Sequence, residues 1–139
     1  MTSLGVRRLA AAIRGRRQGA ALHGAVLFWI VAAILVATSH GLLDRRSPAG
    51  AATAAIASIG GAAYAYTRLC ARCAGISHAL GVGSVWLALA IGAEIVVSRR
   101  VGHVWCALLG PTDRPLLRNL FLFVWIFAPV LFAQREAEA

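Results

Sequence analysis

Two cysteines separated by two residues form the first group in the sequence that has the spacing of a chemical site. Cys70 and Cys73 lie in TRLCARCAGISHALG, residues 67–81, where Arg68 and Arg72 alternate with them. Positive charge nearby favours the thiolate, which is the reactive and metal-binding form of cysteine. The pattern therefore indicates either a redox or metal site or a polar hairpin that joins two membrane helices.

A tetrahedral zinc site needs four ligands, and the sequence supplies at most three near this pair. His78 is the candidate third ligand beside Cys70 and Cys73. Cys106 is excluded, because one predicted membrane span separates it from the pair and places it at the opposite face. The thiol or metal hypothesis, using Cys70, Cys73 and His78, stays open beside the plain hairpin.

Glu94 is the only acid inside a long apolar stretch. Acidic residues at membrane depth are costly and often belong to proton or cation pathways. Glu94 with His78 is therefore the transport candidate. The alternative is structural, since Arg99 and Arg100 follow about one turn later and predict an ion pair at the membrane interface.

The histidines allow a haem hypothesis. His23 and His40 are seventeen residues apart, about 25 Å along a helix, so they cannot ligate one iron. Pairs of His23 with His78 and of His40 with His103 would be needed instead. No companion motif supports them, and we predict no cofactor, while a metal or a haem remains an alternative.

Other chemistry has little basis in the sequence. Arg118 and Asn119 begin the last apolar stretch and are candidates for binding a lipid headgroup phosphate. The chain has no glycine-rich phosphate loop, no nucleophile elbow, no His-Glu-x-x-His and no paired carboxylates at catalytic spacing. We predict no catalytic residue, and the protein is more simply interpreted as a non-enzyme.

The composition places these residues in a membrane. Of 139 residues, 60% are apolar and 14% charged, and the mean hydropathy is +0.75. Apolar runs of 18 or more residues are typical of spanning helices, since a hydrocarbon core of about 30 Å needs roughly 20 residues. The net charge of +9 comes from arginines at the ends of these runs, so we exclude nucleic acid as a partner.

The expected fold is an all-α, integral membrane four-helix bundle. A basic cytoplasmic segment (1–19) precedes the spans and a polar tail (134–139) follows them. The segment 98–115 is expected to contain a short helix that lies flat in the interface. The predicted spans are residues 20–43, 50–67, 74–97 and 116–133.

Packing is predicted from small residues. The second span is almost entirely Ala, Gly, Ser and Thr, and Tyr64 and Tyr66 near its end suit an interfacial aromatic belt. The third span has a stripe of small residues at helical spacing, so we expect these two helices to pack together. The aromatic fourth span would cover them and face lipid. The stripe consists of Ser77, Gly81, Ser84, Ala88 and Gly92.

Arginine placement orients the chain. With the N-terminus inside, eight arginines lie on the inner side and six on the outer side, and five of the eight precede the first span. We expect both termini in the cytoplasm and a bacterial inner (plasma) membrane location. The basic, acid-free start is also typical of mitochondrial targeting, so the mitochondrial inner membrane is the alternative.

The cysteine segment also resembles a known pattern. LCARCAGI is similar to a segment found in a family of small, uncharacterised bacterial membrane proteins, which reads Cys-x-Arg-Cys-x-Gly-Ile ahead of a membrane helix. The matching positions are Cys70, Arg72, Cys73, Gly75 and Ile76, about eight residues of the chain. The resemblance implies a small membrane protein and supplies no reaction.

The expected function is that of a small accessory, scaffold or assembly component of a membrane complex. Its partners would be the lipid bilayer and other membrane proteins or a second copy of itself. A small proton-coupled transporter or channel using Glu94 is one alternative. A thiol or metal-handling membrane protein using Cys70 and Cys73 is the other.

Overall fold

The computed structural model describes residues 2–70 and 75–133, without the side chains of Thr2, Arg17 and Gln18. Within this part of the chain there are four helices and no strand, which confirms the predicted all-α, four-helix architecture. The helices are α1 (Thr2–Leu43), α2 (Pro48–Leu69), α3 (Ile76–Val101) and α4 (Pro115–Leu131).

Local sequence signals set the helix ends. The Ser47 hydroxyl accepts a hydrogen bond from the Gly50 N–H at 3.1 Å, and Pro48 occupies the first turn of α2, where a proline costs no hydrogen bond. α3 ends at Val101 and is capped by Gly102, whose φ of +79° is a left-handed conformation that favours glycine.

The four helices form two hairpins, α1–α2 and α3–α4, that pack side by side. α1 contacts α2 and α3, and α4 contacts α3 and α2. The backbones of α2 and α3 therefore lie diagonally opposite each other. We call the end of the bundle where α2 finishes the Cys70 end, and the end that holds the α1–α2 and α3–α4 connections the Glu94 end.

The expectation that α2 and α3 pack through small residues is wrong. All five residues of the small-residue stripe on α3 are exposed, and an added Cβ at Gly81 or Gly92 would meet nothing within 4 Å. α3 instead buries the neighbouring face, which carries larger side chains such as Val82 and Trp86. Helical spacing placed the five small residues on one face of α3, but it could not show which face of α3 another helix covers.

α4 is aromatic on both of its faces, as expected. Phe121 and Trp125 are buried, whereas Phe123 and Phe127 are exposed. Tyr66 on α2 is also buried, so the prediction that it belongs to an interfacial aromatic belt is wrong. Tyr64, the other tyrosine of that prediction, is exposed. The middle of the bundle is filled by indole and phenol rings, and the ring centroids of Trp86 and Trp125 are 6.3 Å apart.

Two helices are long and apolar enough to cross a membrane, namely α1 and α3. α4 is apolar but, at 17 residues, shorter. Many large apolar side chains on the outside of the bundle are exposed, among them Leu27, Ile34 and Val96. Burying such surface in lipid or against a protein is favourable, so these helices suggest an association with a membrane.

α1 continues beyond the bundle at the Cys70 end. Gly24 lies against Cys70, the residue that follows α2, because a Cβ on Gly24 would be 2.9 Å from the Cys70 Sγ. The 22 residues of α1 that precede Gly24 span about 33 Å, at 1.5 Å per residue. Residues 3–16 of this extension are exposed and include four of the five N-terminal arginines.

The segment that links α3 to α4, which we call the connector (residues 102–114), is not the predicted interfacial helix. It consists of turns and irregular backbone. Three consecutive residues, Ala107, Leu108 and Leu109, are at most 4% exposed. The connector therefore folds into the Glu94 end of the bundle, because its apolar middle is buried between α3 and α4 rather than spread over the surface.

The tightest helix contact gives the first prediction. A Cβ added at Gly83 of α3 would overlap the Ile126 carbonyl oxygen of α4, whereas one at Gly81 would meet open space. Gly83→Ala should therefore cost about 1–3 kcal/mol or more through overpacking. Gly81→Ala, the matched control, should be neutral or slightly stabilising. Unfolding in detergent measures both, and equal stability of the two variants would contradict this packing.

Candidate functional site

Glu94 is the acidic residue buried within the described part of the bundle, with 6% of its surface exposed. It lies on the inner face of α3, two turns before the helix ends. One carboxylate oxygen accepts a hydrogen bond from the Leu109 N–H at 2.7 Å. The side chain that sequence reasoning assigned to transport thus bonds the backbone of the connector.

Arg118 supplies the opposite charge from α4. Its Nη2 is 3.6 Å from the second oxygen of Glu94, and its Nη1 donates to the Gly110 carbonyl at 3.0 Å. The guanidinium is about one-third exposed and the carboxylate is nearly buried. The pair therefore holds α3, α4 and the connector together at three points.

Two further side chains complete this arrangement. The Trp125 Nε1 donates to the Leu108 carbonyl at 2.8 Å, and the Ser98 hydroxyl accepts from the Trp105 N–H at 2.9 Å. Irregular backbone in an apolar interior must find hydrogen-bond partners. Here α3 and α4 supply them as side chains, and we call this arrangement the connector clamp (Glu94, Ser98, Arg118 and Trp125).

Both members of the ion pair were noticed in the sequence, but in other roles. The expected partners of Glu94, Arg99 and Arg100, are exposed, and the ion pair is made with Arg118 instead. Arg118 was proposed as a lipid headgroup ligand together with Asn119, which is exposed. Twenty-four residues separate Glu94 from Arg118, so only the antiparallel packing of α3 and α4 could reveal the pair.

A second polar group lies at the Cys70 end. The Tyr66 hydroxyl is 2.9 Å from the His78 Nε2 and 3.4 Å from the Ala21 carbonyl oxygen. Both contacts form when His78 Nε2–H donates to the tyrosine oxygen and the tyrosine O–H donates to the carbonyl. This chain joins α1, α2 and α3. Sequence reasoning missed the role of Tyr66, although a tyrosine on an otherwise small-residue helix was the available signal.

The structure does not bring the transport candidates together. His78 and Glu94 lie sixteen residues apart on α3, about 24 Å along its axis. His78 bonds the Tyr66 hydroxyl, and Glu94 bonds the connector and Arg118. Each candidate therefore serves a different end of the bundle.

The described residues provide no arrangement of ligands that supports the metal hypothesis. Cys70 is exposed and forms no disulfide with another described cysteine, and Cys73 lies outside the described residues. Among the residues that the structure describes, no three His, Cys, Asp or Glu side chains converge on one point. His23 bonds the Gly19 carbonyl of its own helix, and His103 is exposed on the connector. The thiol or metal role of Cys70, Cys73 and His78 therefore stays a prediction.

Comparisons with protein-family models, with curated proteins and with solved structures found no match to the chain. The resemblance of the cysteine segment to small bacterial membrane proteins therefore stays a prediction. The function of the chain has to be inferred from the connector clamp, from the polar group at the Cys70 end and from the exposed faces of the helices.

The connector clamp predicts a specific energetic coupling. In a double-mutant cycle, Glu94→Gln and Arg118→Gln should be non-additive by about 0.5–3 kcal/mol, because the two side chains touch. The control cycle pairs Glu94→Gln with Arg100→Gln, the partner that the sequence suggested, and should be additive. Stability in mixed micelles measures both cycles. Coupling to Arg100 in place of Arg118 would show that the clamp is misassigned.

Proposed function

We propose that the protein is a small multi-pass protein of the bacterial inner membrane that serves as an accessory, scaffold or assembly component of a membrane complex. The observation that carries the proposal is the contrast between its interior and its surface. Buried polar groups in the described residues are bonded to each other or to backbone, with Trp29 Nε1 as the exception. The outer surface is apolar along the helices.

A closed interior supports a structural role. The carboxylate of Glu94 has a backbone donor on one oxygen and a guanidinium near the other. Breaking one partner of a buried ion pair is strongly unfavourable, because it leaves the other charge without compensation. A site that exchanges protons or cations must release its charge partner in each cycle, whereas this one ties down a loop.

The exposed faces supply surfaces for association. The small-residue stripe of α3 presents a face with almost no side-chain bulk, and such faces allow close backbone approach between membrane helices. We therefore place the contact with another membrane protein, or with a second copy of this chain, on the stripe. The apolar outer faces of α1 and α4 contact lipid.

Transport through Glu94 is the alternative, and the observation in its favour is the burial of a carboxylate in an apolar helix. The double variant Glu94→Gln, Arg118→Gln separates the two proposals, because it removes both charges and leaves a polar amide at each position. If the protein is a scaffold, the folded double variant should still bind its membrane partner. If it is a transporter, the double variant should lose transport activity.

Topology gives the next prediction. The α2–α3 connection and the connector should lie in opposite compartments, because one spanning helix separates them. Two single-cysteine forms test this: one retains Cys70 and the other carries His103→Cys on the exposed part of the connector. With the N-terminus inside, an impermeant maleimide should label the second form in intact spheroplasts and the first only after lysis. Labelling of both from one side would contradict the proposed spans.

Association gives a further prediction. Gly81→Leu should abolish a stoichiometric contact seen after mild detergent extraction, because it adds bulk to the proposed contact face. It should leave the fold intact, since a Cβ there meets nothing within 4 Å. Ala57→Leu, on the exposed face of α2, is the control and should keep the contact. Recovery of the unmodified chain as a lone monomer would contradict the scaffold proposal.

A further inference from the structure

Two adjoining hollows lie at the Glu94 end of the bundle. The first is a cavity of about 310 Å³ between the α1–α2 turn, the connector and the start of α4. The second is a groove of about 650 Å³ between the first turns of α2 and α4. Four residues line both of them, so the two hollows share a wall: Pro48, Ala52, Arg114 and Leu117.

The two hollows differ in chemistry. The cavity, which we call the headgroup cavity, is lined by His40, Asp44, Asp113 and Arg114 together with apolar residues. The groove, which we call the acyl groove, is lined by apolar residues such as Ile56, besides Thr53 and Arg114. A ligand that occupies both must therefore have a charged end and an apolar tail.

We propose that these hollows form one site for a phospholipid whose headgroup carries a primary amine, such as a phosphatidylethanolamine. The phosphate would meet Arg114, which no described carboxylate pairs. The ammonium would meet Asp44 and Asp113, since carboxylates accept charge-assisted hydrogen bonds from an N–H donor. One acyl chain would lie in the acyl groove.

Charge complementarity decides the occupant. The headgroup cavity holds acidic and basic side chains together: Asp44 lies 3.9 Å from the His40 Nδ1, whereas Asp113 has no described ion-pair partner. A purely anionic headgroup would therefore leave at least the Asp113 carboxylate without a positive partner. A choline headgroup carries a positive charge but no N–H group, and therefore cannot donate to them. The amine-bearing headgroup satisfies both signs. This assignment also differs from the sequence-based one, because Arg118 is engaged in the connector clamp while Arg114 borders both hollows.

The dimensions suit a membrane lipid. The acyl groove follows α2 from Pro48 to Ile56, about 12 Å at 1.5 Å per residue. This is less than half of a hydrocarbon core of about 30 Å, so it holds the upper part of one chain. The charged cavity lies at the end of the bundle, where a headgroup would be. The inference rests on the proposed membrane location.

The test uses the full chain in phosphatidylcholine vesicles with trace spin-labelled phospholipids that share acyl chains and differ in headgroup. The ethanolamine lipid should associate about two- to fivefold more strongly than the choline lipid, the range expected for partly exposed charge pairs. Asp113→Asn should remove that preference, and Arg114→Gln should weaken both lipids. Arg100→Gln, at the same end of the bundle, is the charge control.

A second variant pair tests the acyl groove. Ala49→Phe places a ring in the groove and should remove the ethanolamine preference, whereas Ala57→Phe, an exposed alanine of the same helix outside the groove, should keep it. Equal association of all headgroups, or a preference that survives both Ala49→Phe and Arg114→Gln, would overturn the site and leave the membrane proposal standing. A chain that does not enter vesicles would overturn both.

Cys106 lines the headgroup cavity and supplies an independent readout. In a form with Cys70→Ser and Cys73→Ser, alkylation of Cys106 should be slower in vesicles of phosphatidylethanolamine than in those of phosphatidylcholine. Arg114→Gln should equalise the two rates. If Cys106 is alkylated at the same rate in both kinds of vesicle while Arg114 is present, the placement of the headgroup in the cavity is wrong.

Discussion

The ion pair between Glu94 and Arg118 determines how the Glu94 end of this bundle is built. A loop can enter an apolar interior only if its backbone N–H and C=O groups find partners there. Here the carboxylate accepts from Leu109 and the guanidinium donates to Gly110, so the two charges bond neighbouring parts of one loop as well as each other. Without the pair, the buried turn from Ala107 to Leu109 would leave unsatisfied backbone inside the protein.

The same principle explains where polar side chains occur. Tyr66 and His78 join three helices at the Cys70 end, and Glu94 and Arg118 join two helices and the connector at the other. Between them, Trp86 donates to the Ala25 carbonyl at 2.9 Å, which ties the two hairpins together. Hydrogen bonds thus fix the register of the helices at several heights. Apolar contacts between smooth helices would not do this alone, because they permit sliding.

Much of the fold could be predicted because it depends on short-range patterns. Apolar run length located the four helices, although α2 begins at Pro48, two residues before the predicted span. The aromatic residues of α4 predicted one face against the other helices and one face towards lipid. The neighbours of each helix could not be predicted, because the exposed stripe with Gly81 and the buried face with Val82 are both apolar or small. Glu94 was singled out in the sequence as a transport candidate, but its ion-pair partner lies twenty-four residues away, beyond the reach of helical spacing.

The groove between α2 and α4 follows from the composition of α2. Small residues such as Ala51 and Ala55 are buried and allow α2 to approach its neighbours closely. The adjoining face carries Ala49 and Ala52, which are equally short, yet there α2 meets the leucines at the start of α4. A helix that is small on every face can pack closely against one neighbour, but it leaves space beside another. In a membrane that space would be filled by a hydrocarbon chain, since a void loses dispersion contacts on one side.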